Sequence, residues 1–275
     1  MRLFKRILIV GVGLIGGSLG LGIKKYKLAK EVWGISRKYT TLKEALKLRA
    51  IDRGFKVLSL IKDDIDLVIL ATPVRTIEKL SPLIKKYIPQ DCIVMDVGST
   101  KKEVVDCLDR IFTNYIGAHP LAGLEKSGVR YAQADLFKGS ICILTPTSKT
   151  SRSVLNRIKE FWKNLNAEVI LMSPSLHDRI LSFTSHLPHL ISFCLLNSIP
   201  KSYLKISGPG LKDTLRIAFS SAEIWEQIFT SNSKNLISAL KVFKDNLSYL
   251  EKALIDKDKK IILKFLKKAN KKRFL

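Results

Sequence analysis

The stretch Lys5–Tyr26, which reads KRILIVGVGLIGGSLGLGIKKY, joins a compact apolar run to a series of closely spaced glycines. Its basic start and apolar character are typical of a secretion signal or a membrane anchor, but its glycine spacing is typical of a strand, a tight turn and a helix. The apolar part, Ile7–Ile23, is slightly shorter than the roughly 20 residues that cross a bilayer, and no A-x-A cleavage site follows it. We therefore predict a buried parallel strand at Ile7–Val10, then a glycine turn and a helix.

The turn has the spacing Gly11-x-Gly13-x-x-Gly16, and a different physical requirement explains the glycine at each of the three positions. The first allows a tight turn, the second lets the backbone approach a pyrophosphate, and the third lets the helix pack close to the strand. The N–H groups at the start of that helix, at Leu14 and Ile15, point toward the same place, and the helix dipole favours an anion there. The motif predicts a dinucleotide-binding site.

The end of the second strand, EVWGISRKYTT, indicates which dinucleotide is bound. An NAD site usually carries Asp or Glu about 20 residues after the glycine motif, whereas this chain has Ser36 followed by Arg37 and Lys38. A carboxylate would repel a 2′-phosphate, and a small hydroxyl followed by two cations attracts it. We predict NADP rather than NAD. The alternative is that both cations only share the general basicity of the chain.

Alternating strands and helices continue along the first 173 residues. This pattern predicts an α/β fold with a doubly wound, mainly parallel sheet of the Rossmann type. Ligands of such sheets bind at the carboxyl ends of the strands. We therefore expect one rim to carry the glycine turn together with the polar residues that end successive strands: Ser36, Thr72 before Pro73, Ser99 and His119.

After Ser173 the sequence predicts helices only, so we place a dinucleotide-binding domain at 1–173 and a helical substrate and dimerisation domain at 174–275. Pro188 lies inside one helical pattern and predicts a kink or break there. Apolar residues then recur at alternating spacings of four and three: Leu236, Leu240, Phe243, Leu247, Leu250 and Leu254. This heptad-like seam packs either within its own chain or against a second copy, and we expect a homodimer.

The net charge of +24 attracts anions, and the densest basic segment is KDKKIILKFLKKANKKRF near the end of the chain. Apolar residues at helical spacing within this segment favour a packed helix with a solvated lysine face over a nucleic-acid or membrane site. No zinc-finger or RNA-binding signature accompanies it, so we expect neither a nucleic-acid nor a membrane partner. The four cysteines form no C-x-x-C pair, which favours reduced thiols in a cytoplasmic protein.

Five segments together resemble one family, the prephenate and arogenate dehydrogenases of tyrosine biosynthesis. They are GVGLIGGSL at 11–19, DVGSTK at 96–101, HPLAGLEKSG at 119–128, SHLPH at 185–189 and GPGLKDTLRIA at 208–218. The pair Ser36-Arg37 is most similar to the NADP-using cyanobacterial arogenate dehydrogenases. The resemblance implies a Rossmann domain followed by an all-helical dimerisation domain.

The resemblance also implies the reaction, which is the oxidative decarboxylation of arogenate or prephenate. Hydride passes from the hydroxyl-bearing ring carbon to the nicotinamide, and the ring becomes aromatic as carbon dioxide leaves. The protein must mainly position groups and accept one proton. By the resemblance His119 accepts it, and Ser99 is hydrogen-bonded to His119. The alternative for His119 is a strand-end histidine held for turn geometry.

Substrate contacts follow from the same resemblance. Arg216 matches the arginine that binds a substrate carboxylate, which a guanidinium grips through two parallel hydrogen bonds. Lys212 and Asp213 lie one turn before it; an ordinary exposed salt bridge is the alternative there. His189 is expected to contact substrate. Glu125 matches an acidic position near the substrate, with a solvated surface carboxylate as the alternative.

Some alternatives remain open in the helical part and for the overall function. His186 is either a further substrate contact or a histidine that caps a broken helix. A metal site that adds His177 to the pair at 186 and 189 fits no standard zinc spacing, and none is expected. For the whole protein, the main alternative is another hydroxyacid or imine reductase with the same domain order. A nucleotide sensor or nucleic-acid-binding protein is suggested only by the charge. Asp213 or Glu125 could accept a hydrogen bond from the ammonium of arogenate, and the resemblance to the cyanobacterial enzymes favours arogenate over prephenate.

Overall fold

The computed structural model describes residues 2–61, 64–124 and 126–272. Eight strands form one sheet. They are β1 (Phe4–Val10), β2 (Ala29–Ile35), β3 (Arg53–Phe55), β4 (Leu67–Leu70), β5 (Ile93–Asp96), β6 (Tyr115–Pro120), β7 (Ile141–Thr145) and β8 (Glu168–Leu171).

The sheet has the strand order β3-β2-β1-β4-β5-β6-β7-β8. The pair β6–β7 is antiparallel, with His119 opposite Ile143, and the other pairs are parallel. The chain therefore winds outward in both directions from β1, which confirms the predicted doubly wound, mainly parallel sheet. The order reverses between β1 and β4, so a crevice opens beyond the carboxyl ends of these two strands. The short edge strand β3 was not predicted from the sequence.

Eleven α-helices are present in the described part of the chain. Those that accompany the sheet are α1 (Leu14–Lys25), α2 (Tyr39–Lys47), α3 (Val74–Lys85), α4 (Lys102–Ile111) and α5 (Arg152–Asn164). Those that follow it are α6 (Pro174–Leu181), α7 (Leu187–Ser198), α8 (Pro209–Leu215), α9 (Ala222–Ser231), α10 (Ser233–Ile255) and α11 (Lys259–Asn270).

Both faces of the sheet are covered, as the unbroken apolar run of β1 predicts. Ile7 and Ile9 point into a core that also contains buried residues of α1, α2 and α5. Leu8 and Val10 point to the opposite face, where α3 and α4 pack. Each fully buried Ile or Leu side chain contributes about 1.5–3 kcal/mol. This two-sided burial holds β1 in a fixed position, and with it the glycine turn that follows.

The change to an all-helical region begins directly after β8. Ser173 caps α6 by accepting a hydrogen bond from the backbone N–H of Leu176, and Pro174 occupies the first turn. The helical path is then interrupted by a π-helical turn, Ser182–His186, directly before α7. Pro188 lies in the first turn of α7. Where a kink or break was predicted, the path stays helical and changes from α to π just before the proline.

The predicted seam on α10 is only partly covered within one chain. Leu236 is buried, and Leu240 and Phe243 pack against the same small core. Leu247 and Leu254 leave 56% and 64% of their surface exposed. The first half of the seam is therefore an internal packing face, and the second half is an apolar surface.

Two further features bear on expectations from the sequence. Cys92, Cys107, Cys142 and Cys194 are free thiols in the structure. Within the ranges described, no helix is both long enough and apolar enough to cross a membrane.

Candidate functional site

Two adjoining cavities lie beyond the carboxyl ends of the strands. The first, of about 360 Å³, is lined by the glycine turn and by residues that follow β4, including Gly13, Thr72 and Pro73. The second, of about 550 Å³, lies between the sheet and the helical region and is lined by His119 and Arg216 among others. The two cavities share Ser99 and the segment 122–124. The predicted rim residues Thr72, Ser99 and His119 are thus brought together.

The glycine turn has the geometry of a phosphate cradle. Gly11 has a φ of +97°, and a Cβ there would lie 2.7 Å from the carbonyl oxygen of Ala71. A Cβ on Gly16 would lie 2.1 Å from the carbonyl oxygen of Gly11. A Cβ on Gly13 would meet no protein atom within 4 Å and would instead occupy the cavity. The first and third glycines are therefore required by the fold, and the second leaves room for a ligand.

Other groups beside the turn fit a dinucleotide. Leu14 and Ile15 begin α1 and line the first cavity, so their N–H groups are at a helix start that faces it. The hydroxyl oxygen of Thr72 is buried and has no hydrogen-bond partner in the described protein. A buried polar atom without a partner is costly, so a ligand that bonds to Thr72 would satisfy it. The residues present therefore fit a bound dinucleotide.

The end of β2 leads to a third, polar cavity of about 570 Å³, lined by Lys38, Thr40 and Arg130 among others. Glu44 also lines it, 3.9 Å from the guanidinium of Arg130. Ser36 is half-buried, Arg37 is exposed, and both lie next to this cavity in sequence without lining it. The end of the cofactor site that was predicted from the sequence is thus rich in cations and carries one carboxylate.

His119 is the second-last residue of β6 and lies on the wall of the second cavity, with only 9% of its surface exposed. Burial lowers the pKa of His119 well below its ordinary value, and nearby His177, Lys101 and His186 lower it further. The imidazole is therefore neutral at neutral pH. A neutral imidazole has one nitrogen that accepts a proton or a hydrogen bond, so His119 has the chemistry that the sequence predicts.

The hydrogen-bond partner of His119 differs from the expected one. Its Nδ1 lies 2.8 Å from Nε2 of His177, and Nδ1 of His177 lies 2.7 Å from Oδ1 of Asp178. No hydrogen bond joins Ser99 to His119 among the residues that the structure describes. The expected Ser99–His119 bond is therefore absent here, although both side chains line the same cavity.

His177 and Asp178 are the site residues that sequence reasoning missed. Both are buried near the start of α6, and Asp178 accepts hydrogen bonds from the backbone N–H groups of Lys101 and Lys102 at the start of α4. The available signal is a His-Asp pair six residues after the last strand; from the sequence alone we consider His177 only as a metal ligand. No group of three or more metal-binding side chains is present in the described ranges.

A second buried cluster supports the loop that carries Ser99. The Lys101 ammonium pairs with the Asp96 carboxylate, and neither side chain is exposed. Asp96 also accepts hydrogen bonds from the Tyr115 hydroxyl at 2.7 Å and from the Gly98 N–H at 2.8 Å. These bonds fix the turn between β5 and α4, and so fix the position of Ser99 between the two cavities.

The helical region supplies the far wall of the second cavity. His189 stacks on Trp225 with ring centroids 3.6 Å apart, and its Nδ1 lies 2.9 Å from the carbonyl oxygen of Ser185. Arg216 follows α8 and lines the cavity as well. A cation thus lines the same cavity as His119.

The other expected substrate contacts do not join this wall. Lys212 and Asp213 are exposed on α8, and neither is among the residues that line the cavity. Glu125 lies outside the described residues. His186 is buried, lines the cavity, and lies 3.0 Å from the side-chain nitrogen of Asn232 through its Nδ1. His186 therefore contacts Asn232 in the protein interior and also lines the second cavity.

The sheet order, the glycine turn and the adjoining second cavity define a dehydrogenase-like Rossmann protein with a helical second region. Residues 19–171 match the model of the prephenate dehydrogenase nucleotide-binding domain, and residues 173–268 match that of the prephenate dehydrogenase dimerization domain. The chain belongs to the prephenate dehydrogenase family.

Individual relatives agree with this assignment. The chain is 37% identical to the prephenate dehydrogenase of Bacillus subtilis over 84% of its own length, and the match spans 65% of that protein. The crystal structure of Aquifex aeolicus prephenate dehydrogenase in complex with hydroxyphenyl propionate and NAD+ is 32% identical, with a TM-score of 0.92 and coverage of 97% and 96% of the two chains. Synechocystis arogenate dehydrogenase is 25% identical, with a TM-score of 0.82 and coverage of 96% and 97%. The likeness to the Aquifex protein is the greater of these two structural matches.

Proposed function

We propose that this protein catalyses the NADP-dependent oxidative decarboxylation of arogenate or prephenate in tyrosine biosynthesis. The observation that carries the proposal is the neutral, buried His119, which lines the same cavity as Arg216, next to the cavity that the glycine turn lines. A proton acceptor thus shares one cavity with a cation that can bind a carboxylate, and a dinucleotide cradle lines the adjoining cavity. The family match supports the same reaction.

In the proposed mechanism the glycine turn, Thr72 and Pro73 would hold a nicotinamide dinucleotide, which would supply the hydride acceptor for the hydroxyl-bearing ring carbon. His119 accepts a hydrogen bond, and transiently the proton, from the substrate hydroxyl while the carbon–oxygen bond gains carbonyl character. The bond between the opposite ring carbon and its carboxylate then breaks, carbon dioxide leaves, and its electron pair makes the ring aromatic. The proton returns to the phenolic oxygen, so His119 ends the cycle neutral.

The remaining residues position the substrate in this proposal. Arg216 grips one substrate carboxylate, and the stacked His189 contacts the other end of the molecule. Ser99 lies between the cavities and contacts the cofactor and the substrate. Lys212 and Asp213 are not among the residues that line the cavity in the described part of the chain. We propose them as further substrate contacts, together with Glu125.

We propose NADP as the cofactor, held by the glycine turn, Thr72 and Pro73, with its 2′-phosphate at Ser36 and Arg37. The lack of a carboxylate directly after β2 supports this choice. The NAD+ complex of the Aquifex protein supports a nicotinamide cofactor without favouring the phosphorylated form. As the substrate we propose arogenate, prephenate or both, since an arogenate dehydrogenase and prephenate dehydrogenases are all among the relatives.

We further propose a cytoplasmic homodimer that pairs through the helical region, with the division between the two domains at Ser173 and Pro174. The exposed apolar residues on the second half of α10 support pairing, as does the match to a dimerization domain. The free cysteines are consistent with a reducing compartment.

The test is a steady-state comparison of arogenate and prephenate, each with NADP and NAD, followed by the absorbance of the reduced nicotinamide. The expected result is turnover of at least one substrate, with a higher kcat/KM for NADP than for NAD. Absence of turnover in all four combinations would contradict the proposed function. Turnover of a hydroxyacid or an imine in their place would favour the alternative reductase.

A further inference from the structure

His119, His177 and Asp178 form a chain of hydrogen-bonded side chains, and two of the three are fully buried. His177 is 0% exposed and Asp178 is 1% exposed, and neither lines the second cavity. His119, which does line it, therefore directs its Nδ1 edge into the protein and presents the opposite edge, with Nε2, to the cavity. This arrangement allows the protonation of each ring nitrogen to be worked out in turn.

The charge of Asp178 determines which ring nitrogen of His177 carries a proton. Its burial acts to raise the pKa, but the hydrogen bonds from His177 and from the backbone N–H groups of Lys102 and Lys101 outweigh it and keep the pKa of Asp178 below its ordinary value. An ionised carboxylate only accepts hydrogen bonds. The 2.7 Å contact therefore requires a proton on Nδ1 of His177.

The same logic continues to His119. Burial lowers the pKa of His177, so its ring is neutral and its Nε2 carries no proton. That nitrogen must accept, and the 2.8 Å contact requires a proton on Nδ1 of His119. In the neutral ring of His119 the unprotonated nitrogen is then Nε2, which faces the cavity.

Asp178, which accepts the last hydrogen bond of the series, is itself hydrogen-bonded to two separate parts of the fold. The carboxylate of Asp178 bonds to the start of α4 through Lys101 and Lys102, and its backbone carbonyl accepts a hydrogen bond from the side chain of Asn232 at 2.7 Å. The sheet region and the helical region both hold the residue that sets the proton positions. The chain is thus a rigid unit and not a pair of mobile surface histidines.

We propose that His177, oriented by Asp178, is a positioning residue that holds His119 in the Nδ1-protonated tautomer, so that its Nε2 is the proton acceptor in the active site. This inference rests on the proposed function for its catalytic consequence. The tautomer itself follows from the contacts together with an ionised Asp178 and a neutral His177, and it can be measured without turnover.

The direct test is nitrogen-15 NMR of the full chain with labelled histidine at neutral pH. The sequence holds only four histidines, so single variants assign their resonances. We expect His119 to carry its proton on Nδ1 in the unaltered protein and to move to the Nε2-protonated form in His177→Leu. A proton on Nε2 of His119 in the unaltered protein would overturn the proposal, whether or not the variant folds.

The kinetic test separates positioning from general structural damage. His177→Leu should lower kcat by roughly 10²-fold, within the range of general acid–base catalysis, and leave the KM for substrate and the Kd for NADP nearly unchanged. His177→Gln should recover much of the lost kcat because its side-chain oxygen can accept from Nδ1 of His119. Full activity in His177→Leu would contradict the proposal.

A matched control is Leu108→Ala on α4, which removes a buried side chain from the core between α3, α4 and the sheet and lowers stability by about 2–5 kcal/mol. It should lower the melting temperature while kcat stays near that of the unaltered protein. A loss of kcat in this control equal to that of His177→Leu would overturn the positioning role. If the unaltered protein turned over neither substrate, the proposed function would fail, and the NMR result would still decide the tautomer.

Discussion

Nδ1 of His186 lies 3.0 Å from the side-chain nitrogen of Asn232 in the interior of the helical region. The same amide nitrogen donates to the carbonyl oxygen of Asp178 at 2.7 Å. Because an amide nitrogen can only donate, Nδ1 of His186 must accept and must be unprotonated. Burial lowers the pKa of His186 to about 4, so its protonation would both charge a buried ring and break this bond.

The first prediction concerns acid stability. Between pH 6.5 and about 4 the unfolded chain binds a proton at position 186 that the folded chain does not, so stability falls as the pH is lowered through this window. The contribution of His186 to this loss is roughly 3 kcal/mol. His186→Asn keeps an acceptor for Asn232 and removes the titration. Urea unfolding of both proteins at several pH values should show a smaller acid loss in the variant, and identical pH slopes would contradict the prediction.

The second prediction separates two glycines of one motif. Gly13→Ala should leave the melting temperature nearly unchanged and strongly weaken dinucleotide binding, because its methyl group would enter only the cavity. Gly16→Ala should lower stability, because its Cβ would lie 2.1 Å from the carbonyl oxygen of Gly11. Calorimetry and fluorescence titration with NADP measure the two effects. Equal loss of stability in both variants would show that Gly13 is also a packing residue.

Much of the fold could be predicted because strands that are buried on both faces have continuous apolar sequences. The run that forms β1, the glycine spacing and the strands that follow all have local signals. The edge strand β3 has three residues and little apolar character, so neither periodicity nor length marks it. The π-helical turn before α7 likewise has no local signal beyond the proline at 188.

The site was predicted only where its residues follow strands or carry a family motif. Thr72, Ser99 and His119 lie at the ends of strands, and the structure brings them to one rim. The partner of His119 is 58 residues away in the sequence, on the first helix of the other region. Such a contact depends on how two regions pack, which a single sequence does not encode locally.

The third prediction concerns the cofactor. Arg37→Ala should raise the Kd for NADP by about tenfold to a hundredfold, the range for losing one hydrogen bond to a charged group, and should change the Kd for NAD far less. Lys47→Ala removes an equal charge from the exposed end of α2 and should affect neither. Equal weakening of both dinucleotides by Arg37→Ala would contradict the assignment of NADP.

The fourth prediction concerns assembly. Leu247→Asp introduces a charge on the exposed apolar half of α10 and should convert a dimer into a monomer in analytical ultracentrifugation. Ser248→Asp adds the same charge at the neighbouring exposed position and should leave the dimer intact. A monomeric unaltered protein, or a dimer that survives Leu247→Asp, would contradict pairing through this face.

The fifth prediction concerns the proton acceptor. His119→Asn should lower kcat by about 10²–10⁴-fold, since general acid–base catalysis contributes that much, and should leave the Kd for NADP within a few-fold. In the unaltered protein the active form of His119 is neutral, and burial lowers its pKa well below the ordinary value of 6.5. The rate should therefore stay level from pH 8 down to 6.5 and fall only at more acidic pH, as the ring binds a proton. A fall in rate centred near or above pH 6.5 would show that His119 is not buried as described. A kcat of His119→Asn close to that of the unaltered protein would show that His119 is not the proton acceptor.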